Sequence, residues 1–384
     1  MDTLAQRGTG HTPTKREPAY WGGRINWVSL ADTESLDKGA IDKTVYRITK
    51  AGIENSSAVI HSKGTVILLR GSSVGKSAIL DRKMAVSQDY VTWTCGPELL
   101  NLFLYEWLQW KKPEFDRISN GSTVHTIGLP YFEKLSISLP SYPEQQRIAE
   151  ILSTWVVALH TLESLIGAKE RRRRGLTQRL FGERNHKIWQ HARLDFVFDE
   201  VTRPPQSNTR YALSITAGRG FVDRREKYSN TKAGRVLDHY ILLRRGEFAY
   251  NKGNSTRFPY GCIYRLEEFN EGAVPGVWIC FSIKDSGFDP LFYKYFFLAR
   301  GLDQQLQRRI NYGVRNDGLL NLAPADFWSI QIPVPTLAEQ KQIGELLEQA
   351  DAELRLLRKQ YVAIATQKRG LMQLLLTGKK RVRV

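Results

Sequence analysis

Apolar residues recur at alternating steps of four and three in two long segments of the chain, with polar and charged residues between them. This spacing places one apolar stripe along a helix and is typical of a coiled-coil seam. Each pattern continues for about 35–40 residues, which predicts a helix of roughly 55 Å. The seam positions are Ile148, Leu152, Trp155, Leu159, Leu162, Ile166, Leu176 and Leu180 in the first segment, and Ile343, Leu347, Ala350, Leu354, Leu357, Tyr361, Leu371 and Leu375 in the second.

The two segments belong to an internal repeat with a constant offset of 195 residues, as from Pro140 to Pro335. Pro143 and Pro335 indicate the helix starts, and Gly182 and Gly378 stand where left-handed helix caps are expected. Similarity extends upstream, so the chain consists of two halves, each a globular part followed by a helix. Matching pairs are Glu144–Gln145 with Glu339–Gln340, Gly175–Leu176 with Gly370–Leu371, Phe132 with Phe327 and Ile137 with Ile332.

The globular parts show a mixed α/β pattern. Residues 64–80 and 246–266 are strand–turn–strand segments bounded by glycine, residues 99–110 and 290–301 are aromatic-rich helical stretches, and residues 116–123 and 308–317 are polar loops. We therefore predict an α+β fold with two globular domains separated by two long antiparallel helices that form an intramolecular coiled coil. A coiled-coil homodimer is the alternative. The predicted segments are the first globular domain (1–142), the first long helix (143–186), the second globular domain (187–335) and the second long helix (336–384).

The two domains begin differently. Residues 187–201 form an apparent first strand led by Trp189, and no equivalent precedes Asp2. Either that strand is lost, or another part of the chain replaces it, or the start site is misplaced.

Composition adds a strong positive charge. The chain carries 56 Lys and Arg against 39 Asp and Glu, a net charge of +17, which favours a polyanionic partner, with nucleic acid ahead of a membrane surface. We expect no membrane span, because no stretch approaches about 18 uncharged apolar residues. The N-terminal residues contain no apolar signal segment, and Cys95, Cys262 and Cys280 fit no zinc spacing. These features predict a cytoplasmic protein with buried or inert thiols.

One motif suggests an enzyme. Residues 71–77, GSSVGKS, resemble a phosphate-binding loop, but only three residues separate Gly71 from Gly75 and no helical pattern follows. A turn that is structural or faces DNA is the better interpretation. The chain also lacks the Asn/Asp-Pro-Pro-aromatic motif and Gly-rich cofactor loop of a methyltransferase. We predict no catalytic residues, cofactor or metal site. A small P-loop ATPase with a coiled-coil arm and a coiled-coil scaffold are the rival interpretations.

DNA contact requires cations for phosphates and Arg, Lys, Asn or Gln for base edges, and the polar turns and loops supply them. The basic run Lys169–Arg174 lies inside the first helix. It either pairs with acids on the other helix, contacts DNA, or binds an acidic face of a partner. The candidate DNA-binding residues are Arg70, Ser72, Ser73, Lys76, Arg117, Asn120 and Ser122 in the first domain, and Lys252, Asn254, Ser255, Arg257, Arg309, Asn311, Arg315 and Asn316 in the second.

The repeated helix motifs resemble those of a known family. The proline, the Glu–Gln pair four residues later, the apolar helix and the Gly-Leu-x-Gln-x-Leu ending are similar to the specificity subunit of type I restriction–modification systems. These residues are Pro140, Glu144, Gln145, Gly175, Leu176, Gln178 and Leu180, repeated as Pro335, Glu339, Gln340, Gly370, Leu371, Gln373 and Leu375. Segments 8–32, 48–60, 64–79 and 86–91 are similar to the family's target recognition domain.

The resemblance implies a non-catalytic DNA-recognition subunit. Each domain would read one half of a bipartite site in double-stranded DNA, and the helices would set the spacing between the halves. Two methyltransferase subunits, which bring S-adenosylmethionine, and restriction/translocase subunits would be its partners. A specificity subunit of a methylation-only or type II-like system is an alternative within the same class.

Overall fold

The computed structural model describes residues 1–120, 125–206, 209–216, 218–227, 239–253, 258–311 and 319–383. The chain divides into two compact units. Unit 1 contains Met1–Ser164 and Lys359–Val384, and unit 2 contains Leu165–Arg358. Each unit holds one globular domain and one stretch of each long helix. The predicted α+β class with two domains and two long antiparallel helices is confirmed.

The first globular domain, in unit 1, is built mainly from strands. Its strands are β1 (Ala5–Thr9), β2 (Trp21–Val28), β3 (Ala40–Ile41), β4 (Tyr46–Ile48), β5 (Ile60–His61), β6 (Val66–Leu69), β7 (Ser77–Leu80), β8 (Met84–Val86) and β9 (Tyr90–Cys95). Its helices are α1 (Lys50–Glu54), α2 (Asn101–Asn120) and α3 (Leu129–Glu133).

These strands form two sheets, with orders β1-β9-β6-β7-β3 and β4-β2-β8-β5. Strand β6 is buried along its whole length, as expected for an apolar run at a sheet centre. Helix α2 packs its aromatic side chains, among them Phe103, Trp107 and Phe115, on the first sheet. The predicted strand–turn–strand of residues 64–80 is confirmed as the antiparallel pair β6–β7.

The second globular domain, in unit 2, also combines β-sheets with helices, but none of its sheets in the described residues has more than four strands. Its strands are β10 (Gln190–Arg193), β11 (Phe198–Glu200), β12 (Leu213–Thr216), β13 (Gly220–Asp223), β14 (Tyr240–Arg244), β15 (Phe248–Asn251), β16 (Cys262–Arg265), β17 (Glu271–Pro275), β18 (Ile279–Ile283) and β19 (Gln331–Val334). Its helices, with those of the linking segment, are α5 (Glu183–Ile188), α6 (Leu194–Val197), α7 (Arg224–Lys227), α8 (Pro290–Leu298), α9 (Asp303–Arg309) and α10 (Pro324–Trp328).

The main sheet of this domain has the order β11-β18-β15-β16, and three strand pairs, β10-β19, β12-β13 and β14-β17, accompany it. Its core contains many aromatic side chains beside aliphatic ones. Phe248 stacks on Phe281 with ring centroids 5.5 Å apart, and Phe198 meets Phe281 edge-on at 5.0 Å. The predicted strand–turn–strand of residues 246–266 is confirmed as β15–β16.

The difference between the domain starts is now explained. The predicted single strand of residues 187–201 is wrong, because β10 and β11 are separated by the short helix α6. Strand β11 pairs with β18 as β1 pairs with β9, so the first domain keeps this strand. It has no described counterpart of β10, and residues 136–139, which match β19, form no strand. The amino group of Met1 instead donates to Leu135 O at 3.1 Å.

The two long helices are α4 (Tyr142–Leu180) and α11 (Leu337–Leu376). The sixteen predicted seam positions are all buried or half-buried, which confirms the seam. Gly378 has the expected left-handed conformation, with φ of 71°. The cap predicted at Gly182 is wrong. There the backbone is extended, with φ of −72°, because the chain continues directly into α5.

The repeated Glu–Gln pair explains how each helix start is fixed to its domain. The Gln145 amide accepts from Leu100 N at 2.8 Å and donates to Glu98 O and Pro140 O. Gln340 likewise accepts from Asp289 N at 2.8 Å and donates to Pro335 O. Both glutamines are almost fully buried. Each therefore ties the first turn of a long helix to the start of the aromatic helix of its own domain.

The helices pair antiparallel within unit 1. Tyr361 donates to Glu163 at 2.6 Å, while Arg381, beyond the end of α11, bonds to Glu144 in the first turn of α4. The apolar residues Met372, Leu375 and Leu376 of α11 lie in the core of the first domain.

They also pair antiparallel within unit 2, where Lys169 contacts Glu353 at 2.5 Å and Arg173 forms an ion pair with Asp351. Of the three interpretations of the basic run, pairing with acids on the other helix is thus confirmed for these two side chains. Such pairs at a helix interface favour one orientation and register.

The sequence predicts no membrane span, because no stretch approaches about 18 uncharged apolar residues, and one helix bears on this prediction. Helix α4 contains an 18-residue window apolar enough to cross a membrane by length and composition, and 6% of that window is buried. A single helix of this kind is weak evidence for a membrane span, since helices of soluble proteins meet the same criterion. In unit 1 the window includes Glu163, which bonds to Tyr361.

Candidate nucleic-acid interface

The turn between β6 and β7 contains four of the predicted DNA-binding residues. Leu69 N donates to Lys76 O at 2.8 Å, and Gly75 N donates to Leu69 O at 2.9 Å, which closes the turn. Ser73 and Gly75 adopt positive φ angles of 63° and 88°. A Cβ atom on Gly75 would lie 3.0 Å from Lys112, so glycine suits this position on two counts. Ser72 and Ser73 are exposed at the tip.

This geometry differs from that of a phosphate-binding loop. Such a loop leads into a helix whose N-terminal N–H groups surround the phosphate, whereas Ser77 begins strand β7. The ammonium group of Lys76 donates to Thr33 O at 3.1 Å. The motif therefore serves as a hairpin turn, as the spacing of its glycines indicated.

Arg70 joins this turn to two other segments of the domain. Its Nε donates to Gln88 O at 3.1 Å and its Nη1 donates to Ile127 O at 3.2 Å. The backbone reinforces this connection, because Ile127 N donates to Arg70 O at 2.8 Å and Gly71 pairs with Thr126. The turn thus lies beside the segment that follows the polar loop predicted at residues 116–123.

The second domain has the same arrangement. Gly253, in the turn after β15, pairs with Leu319, and Leu320 N donates to Lys252 O at 2.9 Å. Gly253 N also donates to the Asn251 side chain at 2.9 Å. In both domains the structure therefore brings together the two regions that the sequence singled out separately.

Some predicted loop residues lie on helices. Helix α2 continues to Asn120, so the loop predicted from residue 116 is wrong at its start and Arg117 lies exposed in the last turn of that helix. The loop predicted from residue 308 is wrong in the same way. Arg309 ends α9, and its Nη1 donates to Gln305 O at 3.3 Å. Asn311 follows and pairs with Asn321.

Six of the candidates, and the side chain of Asn120, lie outside the described residues. The six are Ser122, Asn254, Ser255, Arg257, Arg315 and Asn316.

Segment 86–91 resembles the family's target recognition domain, but Gln88 and Asp89, between β8 and β9, are not among the DNA-binding residues predicted from the sequence. Both residues bind Arg70 in the turn, because Arg70 Nε donates to Gln88 O and Arg70 N donates to Asp89 O at 2.9 Å. The signal that was available is a pair of polar residues between two short apolar strands. Nothing in that pattern indicates which turn they would contact, because the contact depends on the pairing of β6 with β9.

The described residues include no cluster of metal-binding side chains, and burial raises the pKa of all three cysteines among them. Within them, no group of three or more His, Cys, Asp or Glu side chains is arranged to hold a metal ion. Burial raises the pKa of Cys262 to about 11 and that of Cys95 to about 12. Both thiols therefore stay protonated at neutral pH, which makes them poor nucleophiles.

The sequence matches the model of the family described as type I restriction modification DNA specificity domain, over residues 3–166 and 278–365. The chain belongs to the type I restriction–modification specificity subunits. One relative, the type I restriction enzyme MjaVIII specificity subunit of Methanocaldococcus jannaschii, is 24% identical over 91% of this chain and 85% of its own length.

Solved structures show the same fold as this specificity subunit. The type I restriction–modification S subunit from M. genitalium matches with a TM-score of 0.57 and 18% identity, over 98% of this chain and 94% of its own. A chain from a structure on complex assembly and conformational transition of the type I R-M system matches with a TM-score of 0.53 and 12% identity, over 97% and 95% of the two chains.

Proposed function

We propose that this specificity subunit reads a bipartite, asymmetric site in double-stranded DNA, with one half-site for each globular domain. The observation that supports this proposal is a backbone contact that occurs in both domains, between the turn after a strand and the segment that follows the polar loop. Gly71 pairs with Thr126 in the first domain, and Gly253 pairs with Leu319 in the second. Two domains with one backbone plan but different side chains at this contact are suited to reading two different short sequences.

The contacts divide between phosphates and bases. In the first domain, Ser72, Ser73 and Arg117 are exposed and are the described candidates for direct contact. Arg70 and Lys76 donate to backbone carbonyls, so their first role in this proposal is to hold the turn. In the second domain we propose Lys252, Arg309 and Asn311, together with the candidates that lie outside the described residues.

The long helices would fix the distance between the two half-sites and provide the docking surface for two methyltransferase subunits. Those subunits would bring S-adenosylmethionine and the catalytic residues, and restriction/translocase subunits would complete the complex. In this proposal the chain is non-catalytic, holds no cofactor of its own and acts in the cytoplasm, where its DNA substrate lies.

Genome-wide mapping of methylated adenines tests the proposal. Deleting the gene should remove one bipartite methylation motif, and returning it should restore that motif. This measurement needs an active methyltransferase but no nuclease, so it applies equally to a methylation-only system. An unchanged methylation pattern in a host with active methyltransferase subunits would contradict the proposal.

The assignment of half-sites needs a second experiment. Changing Ser72 and Ser73 to alanine should alter or weaken selection at one half of the motif and leave the other half unchanged. Relaxed selection at both halves would show that the domains do not read independently.

A further inference from the structure

An aromatic cavity of about 650 Å³ opens in unit 1 beside the Arg70 turn. Trp21 and Trp27 meet edge to face, with ring centroids 5.1 Å apart and planes at 85°. Tyr46 lies 6.5 Å from Trp21 at 81° and is 51% exposed. Trp27 is almost fully buried, whereas Trp21 is half-buried. The accessible rings of Trp21 and Tyr46 therefore line the cavity with aromatic surface, which suits a planar aromatic ligand.

Hydrogen bonds to the backbone fix the indole rings of Trp21 and Trp27. The indole N–H of Trp21 donates to Thr14 O at 3.2 Å, and that of Trp27 donates to His11 O at 3.1 Å. Their polar atoms are therefore already bonded to the protein. The half-buried indole of Trp21 offers the cavity apolar ring surface for stacking, and the buried indole of Trp27 supports it.

Hydrogen-bonding groups line another part of the cavity. Gln88 and Asp89 both contribute to it. The Gln88 carbonyl oxygen accepts from Thr12 Oγ1 at 2.5 Å, which leaves its NH₂ group as the donor. One oxygen of Asp89 accepts from Ser87 Oγ at 2.9 Å, and the carboxylate retains further acceptor capacity. The cavity thus offers one donor and one acceptor on adjacent residues.

The cavity is continuous with the candidate nucleic-acid interface. Arg70 donates to the backbone oxygens of Gln88, at 3.1 Å, and Asp89, at 2.9 Å, so one short segment supports the turn and forms part of the cavity. Lys15, which is exposed, also contributes to the lining. A nucleotide of a DNA strand has both a phosphate, which Lys15 can bind, and a base, which can stack on the aromatic rings.

We propose that this cavity takes one base of the first half-site, rotated out of the duplex, and selects a base whose Watson–Crick edge has an amino group beside a ring-nitrogen acceptor, which is adenine or cytosine. The base stacks on Tyr46 or Trp21, its amino group donates to Asp89, and its ring nitrogen accepts from Gln88. On the Watson–Crick edge, which a rotated-out base presents, an amino donor lies beside a ring-nitrogen acceptor in adenine and cytosine but not in guanine or thymine. The inference rests on the proposed reading of DNA by the first domain, and it adds a base-specific pocket to that reading.

The test uses the full chain assembled with its methyltransferase subunits and duplexes that carry the mapped site. Each base pair of the first half-site is mismatched in turn by changing only the opposite base. At the position that enters the cavity, a mismatch should raise the affinity about ten-fold, because the pair no longer has to be opened. Replacing the entering base by thymine, or removing it, should lower the affinity by a similar factor.

Tyr46 variants link that position to the cavity. Tyr46→Ala should weaken binding of the intact duplex about ten-fold, the range expected for loss of one stacking partner, and should abolish the difference between the intact and abasic duplexes. Tyr46→Phe should keep both effects, and Val45→Ala, at a neighbour that is 64% exposed, serves as the control. An adenine rotated into a methyltransferase subunit would also respond to mismatches, but independently of Tyr46.

Three outcomes are distinguishable. If Tyr46→Ala weakens intact and abasic duplexes equally, the ring does not stack on a base and the inference is wrong. If Tyr46→Ala leaves every DNA affinity unchanged and weakens assembly with the methyltransferase subunits, the cavity is a protein-docking site and the inference is equally wrong. If the wild-type complex shows no preference for any half-site, the proposed function itself fails.

Discussion

Lys368 Nζ lies 3.2 Å from the carboxylate of Glu106, a side chain whose exposed fraction is 1%. The pair joins helix α11 to the aromatic helix α2 within unit 1. Burial raises the pKa of Glu106, and Lys368 opposes that shift. Arg173, at the corresponding repeat position in unit 2, pairs with Asp351. A basic residue at this repeat position therefore meets a carboxylate in each unit.

Lys368→Met should destabilise unit 1 by about 3 kcal/mol, because it leaves the Glu106 carboxylate buried without its cation. Denaturant unfolding followed by tryptophan fluorescence measures this change. The double variant Glu106→Gln/Lys368→Met removes both charges and should recover much of the loss. A double variant no more stable than Lys368→Met would show that the ammonium group contributes mainly through packing.

Acid should weaken unit 2 through Glu348. Burial raises the pKa of this carboxyl, but hydrogen bonds from Lys294 and Arg355 outweigh burial and lower it to about 2. Because the folded pKa lies below the unfolded value, the stabilisation is present above about pH 4.5 and is lost as the pH falls towards 2. Unfolding free energies measured between pH 6 and about pH 3 should fall less steeply in Glu348→Gln than in the wild type. Parallel profiles would contradict this assignment.

The segment after α11 should stabilise the first domain through Arg381. This guanidinium donates to Glu144 at 2.8 Å, and the Glu144 side chain is only 5% exposed. Arg381→Ala should lower the unfolding free energy of unit 1 by about 1–2 kcal/mol, since it removes a charge-assisted bond from a buried acceptor. Lys380→Ala, at the exposed neighbouring position, is the matched control and should have no effect.

Arg117→Ala should weaken DNA binding uniformly across sequences and reduce the slope of log affinity against log salt by about one, as expected for a phosphate contact. The control is Lys63→Ala, at the opposite end of β6 from the turn, where the ammonium group pairs with Asp81 at 3.0 Å. Equal effects of the two variants in a salt titration would show that total charge, not position, governs the binding.

The sequence predicted those features that repeat or have a short period. The seam positions, the paired Glu–Gln starts and the two strand turns follow from spacing alone, and each is present. The length of α2 could not be predicted. Pro113 lies inside that helix, and the helix continues because Phe115 beyond it is fully buried in the core. Packing between distant segments thus outweighs the local preference of proline to end a helix.

The candidate interface shows the same limit. The sequence marks Arg70 as a candidate DNA-binding residue, but its bonds to Gln88 O and Ile127 O depend on strand order, which no local pattern specifies. Likewise the left-handed cap is present at Gly378 and absent at Gly182, although the two glycines stand at comparable places in the repeat.

The division of the long helices between the units bears on synthesis of the protein. Unit 2 is one continuous stretch, Leu165–Arg358, whereas unit 1 combines Met1–Ser164 with Lys359–Val384. The core of the first domain includes Met372, Leu375 and Leu376. On the ribosome, the first domain therefore cannot close its core until residues 372–376 have emerged, whereas all residues of unit 2 emerge before them.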